Sequence, residues 1–405
     1  MVAKVDFIAS GTITSPRGFH AGATCAGVKK EAGDVPDLGI LFSEVTCVAA
    51  ALLTTNKIKA APVVLCQQRL QKGRASALVV NSGCANAFTG EEGLADAAET
   101  ADLTAKNIGV SAEEVLVAST GVIGQRLPME RIREGIGQIV LSQDGGHELV
   151  RAIMTTDTRD KETAVTVSSG GDEFIIGGIV KGSGMIHPEL ATMLCFLTTD
   201  AAVDIAFLKL ALRKAADVSF SMVSIDGDTS TNDMVLIMAN GTAGNKVISP
   251  DSPEANAFQQ GLDQVCLCLA KSMARDGEGA TKLIEVTVSG AISEAEARLA
   301  ARTIVSSPLV KSAVHGNDPN WGRIVAAAGR SGAGVVESKV DLYLGDICLV
   351  KAGKPLPFSE PSVVELLGRS EVPISLHLNL GTAEATAWGC DLSEEYVTIN
   401  SQYTT

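Results

Sequence analysis

The chain has 405 residues, 46% hydrophobic but only 4% aromatic, with 40 glycines and a formal net charge of −14. That is enough apolar material for a large core spread over two or three domains or subdomains, packed from small and branched side chains. The acidic balance argues against nucleic acid or an anionic membrane as partner, and it leaves a small-molecule site open because one cleft can be locally basic.

The N-terminal stretch "MVAKVDFIASGTITSPRGF" lacks the apolar segment of a secretory signal. The longest apolar region, Ile40 to Leu53, is interrupted by Ser43, Glu44 and Thr46, so it is too short and too polar to span a bilayer. A cytoplasmic location is expected. Residues 76–83, "SALVVNSG", form a short apolar run closed by turn residues and read as a buried strand. Leu94, Ala98, Ala101 and Ala105 repeat at helical spacing and predict a helix over 92–108. Ser111 to Glu114 has the spacing of a capping box, which predicts a short helix running toward Val117. Gly170–Gly171–Asp172 is a hairpin-turn candidate. Residues 205–216 and 253–273 read as helices. "KLIEVTVSG", 282–290, alternates like a strand, and Ser293 with Glu296 caps a further helix. In 372–381, Ile374, Leu376, Leu378 and Leu380 alternate against Ser375, His377 and Asn379, the pattern of a half-buried strand. Interspersed helices and strands indicate an α/β or α+β protein.

Several chemistries find no support. There is no Gly-Lys-Ser/Thr phosphate loop, and "GSGMIH" and "GAGVVE" lack the third glycine of a dinucleotide fingerprint. Asp226–Asp233, "DGDTSTND", imitates a calcium loop, but Thr231 stands where the sharp turn needs glycine and Ile237 where the bidentate glutamate belongs. Asp226, Asp228 and Asp233 therefore read as parts of a rigid loop that satisfies its own hydrogen bonds. Histidines 20, 147, 187, 315 and 377 have no ligand spacing. The nine cysteines, Cys84 and Cys195 among them, contain no CxxC pair and read as reduced, mostly buried thiols. No metal and no cofactor are expected.

One stretch resists a purely structural reading. "KGSGMIHPELATMLCF", Lys181 to Phe196, opens as a glycine-rich loop, stiffens at Pro188 and becomes apolar, with one hydroxyl, Thr192, at the transition. Thr192 either begins a helix or strand or serves as a nucleophile. Without a histidine-based triad, a threonine hydroxyl needs another base. An α-amine, with a pKa of roughly 8, can fill that role on the same residue. An internal threonine gains such an amine only by cleavage of the bond before it.

This stretch closely resembles the self-cleaving segment of the ornithine acetyltransferase (glutamate N-acetyltransferase) family of arginine biosynthesis. The resemblance extends in order through "GFHAGATCAGVKK", "LLTTNKIKAAPV", "VVNSGCANAFTG", "ASTGVIGQRLP" and "IMTTDT". It continues through "SIDGDTSTND", "ARDGEGATK", "HGNDPNWGRIVAAAGRSG" and "YVTINSQYTT", covering essentially the whole chain. It implies a layered αββα sandwich with a smaller α/β subdomain. It also implies cleavage between Ala191 and Thr192 into an N-terminal fragment, 1–191, and a C-terminal fragment, 192–405. Two copies of each would form a heterotetramer. Thr192 would be the acyl acceptor, and Thr120 with Gly121 the oxyanion hole. Thr155, Lys181, Thr192, Glu278, Asn400 and Thr405 would bind substrate. The implied reaction moves acetyl from N-acetylornithine to glutamate without a cofactor, with acetyl-CoA left open as a co-substrate. The competing readings are a self-cleaving amidase or aminopeptidase of related architecture and a non-catalytic binder.

Overall fold

The computed structural model describes residues 4–29, 35–187 and 193–402. Strands β1 (Lys4–Phe7), β2 (Phe19–Thr24), β3 (Leu38–Leu53), β4 (Arg74–Cys84), β5 (Val115–Val122), β6 (Glu162–Ser169), β7 (Asp172–Lys181) and β8 (Leu194–Thr199) come first. They are followed by β9 (Val223–Ser224), β10 (Met234–Ala239), β11 (Leu283–Ala291), β12 (Asp341–Leu344), β13 (Ile347–Lys351), β14 (Lys354–Pro355), β15 (Glu371–His377) and β16 (Ala383–Cys390). The helices are α1 (Ala61–Arg69), α2 (Gly90–Ile108), α3 (Met129–Ile136), α4 (Gly146–Ile153), α5 (Ile205–Val218) and α6 (Ala255–Arg275). Five more follow: α7 (Glu294–Val305), α8 (Pro308–His315), α9 (Gly322–Gly329), α10 (Glu360–Leu367) and α11 (Glu394–Gln402).

The strands form two sheets. The larger has nine, ordered β1-β6-β7-β8-β10-β3-β4-β5, with β2 also on β3. The smaller has seven, ordered β14-β13-β12-β15-β11-β16-β9. The α/β class expected from sequence holds, and the seven-stranded sheet with its helices is the smaller α/β unit. No helix among the described residues is long and apolar enough to cross a membrane.

Alternation explains why the central strands of the larger sheet read as continuous apolar runs. Leu194 and Phe196 on β8, with Met234, Leu236 and Met238 on β10, join Leu149, Val150 and Ile153 of α4 in one core. Cys195, Leu197, Val235 and Ile237 face the other way and meet α5 and α6. Both faces are covered, so neither position of the two-residue repeat can be polar. Helix α6 lies on β6 and β7 and also reaches β16, tying the two sheets together. Its Phe258 stacks at 5.9 Å, centroid to centroid, against both Phe174 of β7 and Phe207 of α5.

Most predicted elements form where the pattern put them. The Gly170–Gly171 turn takes positive φ at both residues (65° and 100°), as a two-residue hairpin loop requires, and closes β6 on β7. Ser293 caps α7 by accepting from the Glu296 amide. Two predictions fail. Ser111 makes no capping bond, and the expected helix is only a 3₁₀ turn at Ala112–Glu114 followed directly by β5. Val115 to Ala118 are instead drawn into parallel pairing with β4, where all four are buried. The strand over 372–381 ends at His377, because Asn379 adopts φ of +54° and turns the chain away. The interrupted apolar region at 40–53 lies within β3, a sixteen-residue strand that pairs with β2 along its first part and β10 along its last.

The Ala191–Thr192 junction lies outside the described residues. The strands on either side of it, β7 and β8, are antiparallel neighbours in one sheet. A division at that point runs through a sheet rather than between domains.

Candidate active site

Residues from distant parts of the chain meet in one cleft where the two sheets adjoin. Thr120, Gly121, Thr155, Lys181, Glu278 and Asn400 all line it. Ala191, Thr192 and Thr405 lie outside the described residues. On either side of the junction, Lys181 ends β7 at the cleft and Met193 leads into β8.

Thr120 and Gly121 sit near the end of β5. Gly121 has φ of +126°, and a Cβ there would fall 2.4 Å from the Gly83 carbonyl carbon. Only glycine tolerates both the angle and the approach. Lys181 is buried, and its Nζ donates to Thr120 Oγ1 at 3.3 Å. Burial pushes its ammonium below the ordinary lysine pKa, against the opposing pull of Asp157, Glu278 and Asp233. By filling an acceptor position on the Thr120 oxygen, Lys181 leaves that hydroxyl proton for another partner.

Thr155 and Thr156 are distinguished by their contacts. The Thr156 hydroxyl shares a 2.6 Å hydrogen bond with the Ser183 hydroxyl. The Thr155 side chain bonds to none of the described residues, while its amide donates to Asp157 Oδ2 at 2.9 Å. Glu278 is buried against Gly184, where a Cβ would fall 2.5 Å from its carboxylate. Asn400 of α11 donates to Glu278 Oε2 at 2.7 Å, so two expected substrate-binding residues bond each other here.

Sequence reading missed the charges beneath this cleft. The Asp157 side chain is fully buried and accepts from the Gly182 amide (2.7 Å) and Lys161 Nζ (2.6 Å). Lys161 also pairs with Asp276 at 2.5 Å, and Asp276 accepts from the amide of Thr158 and from its hydroxyl. Burial opposes ionisation of Asp157, but Lys161 and Lys181 hold its carboxyl down at about 2. The network fixes the backbone on both sides of the cleft, at Thr155 and at Gly182. Asn232 was missed as well. It lines the cleft and donates to the carbonyls of Ala85 (2.7 Å) and Ser119 (2.8 Å), the latter immediately before Thr120. Its only sequence signal was its place in "DGDTSTND".

That loop, expected to satisfy its own hydrogen bonds, directs its carboxylates largely elsewhere. Asp226 does accept from the Asp228 amide, at 3.2 Å. It also accepts from the amides of Met185 (2.5 Å) and Ile186 (2.9 Å), and Asp233 from that of Met193 (3.0 Å). Six of the nine cysteines are buried, and burial raises the Cys195 thiol far above its ordinary pKa. That leaves Cys195 a poor nucleophile at neutral pH.

A family model described as the ArgJ family matches residues 20–405. The "Arginine biosynthesis bifunctional protein ArgJ" of Dehalococcoides mccartyi is 53% identical over 405 residues, covering 100% of both chains. Its counterpart in Symbiobacterium thermophilum is 52% identical over 398 residues, 98% of this chain and 99% of that one. A crystal structure of the ArgJ protein of Bacillus halodurans aligns with a TM-score of 0.50 at 45% identity, covering 51% of this chain and 97% of that chain.

Proposed function

The chain belongs to the ArgJ family, and from that premise we propose that it is a self-cleaving acetyltransferase carrying acetyl from N2-acetyl-L-ornithine to L-glutamate. The observation that carries the reading is convergence. Residues 120, 121, 155, 181, 278 and 400, expected to serve one reaction, line one cleft, joined by Gly184 and Met185 from the N-terminal side of the junction. The solved Bacillus halodurans chain gives further support, being only about half the length of this one.

Self-cleavage begins with attack of Thr192 Oγ on the Ala191 carbonyl carbon. The hydroxyl proton passes to the departing amide nitrogen, the C–N bond breaks, and an ester remains. Water hydrolyses it, leaving an Ala191 carboxylate and a Thr192 that bears both a hydroxyl and a free α-amine. In turnover that amine accepts the hydroxyl proton as Oγ attacks the acetyl carbonyl of N-acetylornithine. The Thr120 hydroxyl, oriented by Lys181, and the Gly121 N–H face the developing oxyanion. Each such donor is worth about 2.7–4 kcal/mol. The acetyl C–N bond then breaks, the ornithine nitrogen takes the proton, and acetyl-Thr192 remains. The amine of glutamate attacks this ester, N-acetylglutamate departs, and Oγ recovers its proton. No cofactor enters the cycle.

Lys181 offers a cation to a substrate carboxylate, and Glu278 an anion to a substrate ammonium. Thr155, Asn400 and Thr405 supply hydrogen bonds. The fragments 1–191 and 192–405 assemble as two copies of each in the cytoplasm.

Mass spectrometry of the purified protein tests the reading, with two fragments expected, the second beginning at Thr192. Thr192→Ala should stay whole and inactive. An active wild-type protein made of one unbroken chain would sink the proposal. The relatives are named bifunctional, and acetyl-CoA is the second acetyl donor proposed here. Acetylation of glutamate by acetyl-CoA without acetylornithine checks it.

A further inference from the structure

The loop joining β9 to β10 crosses from the smaller sheet to the larger, and it is bonded to the residues flanking the segment that contains the Ala191–Thr192 bond. The two stretches, 226–233 and 186–193, are each eight residues long and are fastened to each other at both ends. At the first end, Asp226 accepts from the amides of Met185 and Ile186, and the Ile186 carbonyl accepts from the Ile225 amide at 2.9 Å. At the second end, Asp233 Oδ1 accepts from the Met193 amide, and the Met193 carbonyl accepts from the Met234 amide at 3.0 Å. The Met193 nitrogen is bonded directly to the carbonyl carbon of residue 192. Asp233 therefore holds the peptide unit next to the expected nucleophile.

The loop is itself immobilised. Asn232 binds the carbonyls of Ala85 and Ser119, the Thr54 hydroxyl donates to the Ser230 carbonyl at 2.6 Å, and the Ala60 amide donates to the Thr231 carbonyl at 2.9 Å. These bonds link the loop to the strand bearing Thr120. Asp233 is 2% exposed, and its second oxygen, Oδ2, is buried with no hydrogen-bond partner among the described residues.

We propose that the 226–233 loop is a template for self-cleavage, in which Asp226 and Asp233 are positioning residues holding the two ends of the segment to be cut. The inference rests on the proposed function, in which this segment breaks before Thr192. Proximity reactions need the attacking oxygen and the carbonyl carbon held in near-attack geometry, and a loosened tether slows them steeply.

The test follows conversion of freshly expressed full-length chain into two fragments on a denaturing gel, alongside thermal melting of each variant. Asp233→Ala should slow conversion by about tenfold or more. Asp233→Asn, whose amide oxygen still accepts from Met193, should restore much of the rate. A loss of global stability alone predicts no such ordering among folded variants. Asp226→Asn, at a half-buried residue, keeps an oxygen for the Ile186 and Asp228 amides but loses the acceptor of the Met185 amide, and should convert severalfold more slowly. Should Asp233→Ala fail to fold, Asp226→Asn alone decides. Conversion of folded Asp226→Asn or Asp233→Ala at the wild-type rate overturns the template. So does an Asp233→Asn protein no faster than Asp233→Ala. A wild-type chain that never divides would instead defeat the underlying reading, a result distinguishable at once from slow conversion of a variant.

Discussion

Asp157, inside "IMTTDT" but given no role by it, shows how a residue beneath a cleft can govern a site. Its carboxylate holds the Thr155 amide, the Gly182 amide and Lys161 together, directly behind Lys181. Removing one partner from a buried charge network costs about 3–5 kcal/mol, and Lys161 keeps Asp276 in Asp157→Asn, which puts that variant near the lower figure. Its folded pKa, about 2, lies below the ordinary 3.8. The stabilisation is therefore fully present above pH 3.8 and is lost as pH falls through about 2. Denaturant unfolding should show the gap between wild type and Asp157→Asn closing across that interval, with kcat/KM reduced at neutral pH. Thr120, Gly121, Lys181 and Glu278 were legible because each sits in a recognisable short motif. The Asp157–Lys161–Asp276 network was not, because the local Asp157–Lys161 pair is closed by Asp276, more than a hundred positions away, and each alone reads as a solvated charge.

At the level of elements, helix α11 is seated by few contacts. The Ser393 hydroxyl donates to the Gly279 carbonyl at 2.6 Å, and Asn400 reaches Glu278. Gly279 has φ of +68°, and a Cβ there would fall 2.6 Å from the Tyr396 amide nitrogen. Gly279→Ala should lift α11 and withdraw Asn400 from Glu278, raising KM for N-acetylornithine severalfold while the far-ultraviolet circular dichroism stays native. Local pattern located α2, α5, α6 and β11 well, because their apolar periodicity matches their burial. It failed at Ser111, where the deciding force was pairing with β4, and at 378–381, where the positive φ of Asn379 turns the chain out of the strand.

Across the whole molecule, the order of the larger sheet decides whether two halves cut at residue 191 can part. Strands β8 and β10 belong to the C-terminal part, yet they lie between β7 and β3 of the N-terminal part. Both seams carry antiparallel backbone hydrogen bonds and buried side chains. The fragments should therefore co-elute on size-exclusion chromatography under native conditions and separate only in denaturant. Native elution of a fragment by itself would contradict this arrangement.

That interleaving also bears on how a cell can make the protein. A ribosome releasing the halves as separate products would leave one with a gap in the middle of its largest sheet and the other with an isolated parallel pair. Each would expose raw strand margins that invite aggregation. The interleaving thus favours synthesis of one polypeptide that weaves itself together whole, so the proposed scission would come last in maturation, and reunion of the two parts after unfolding would be slow and error-prone.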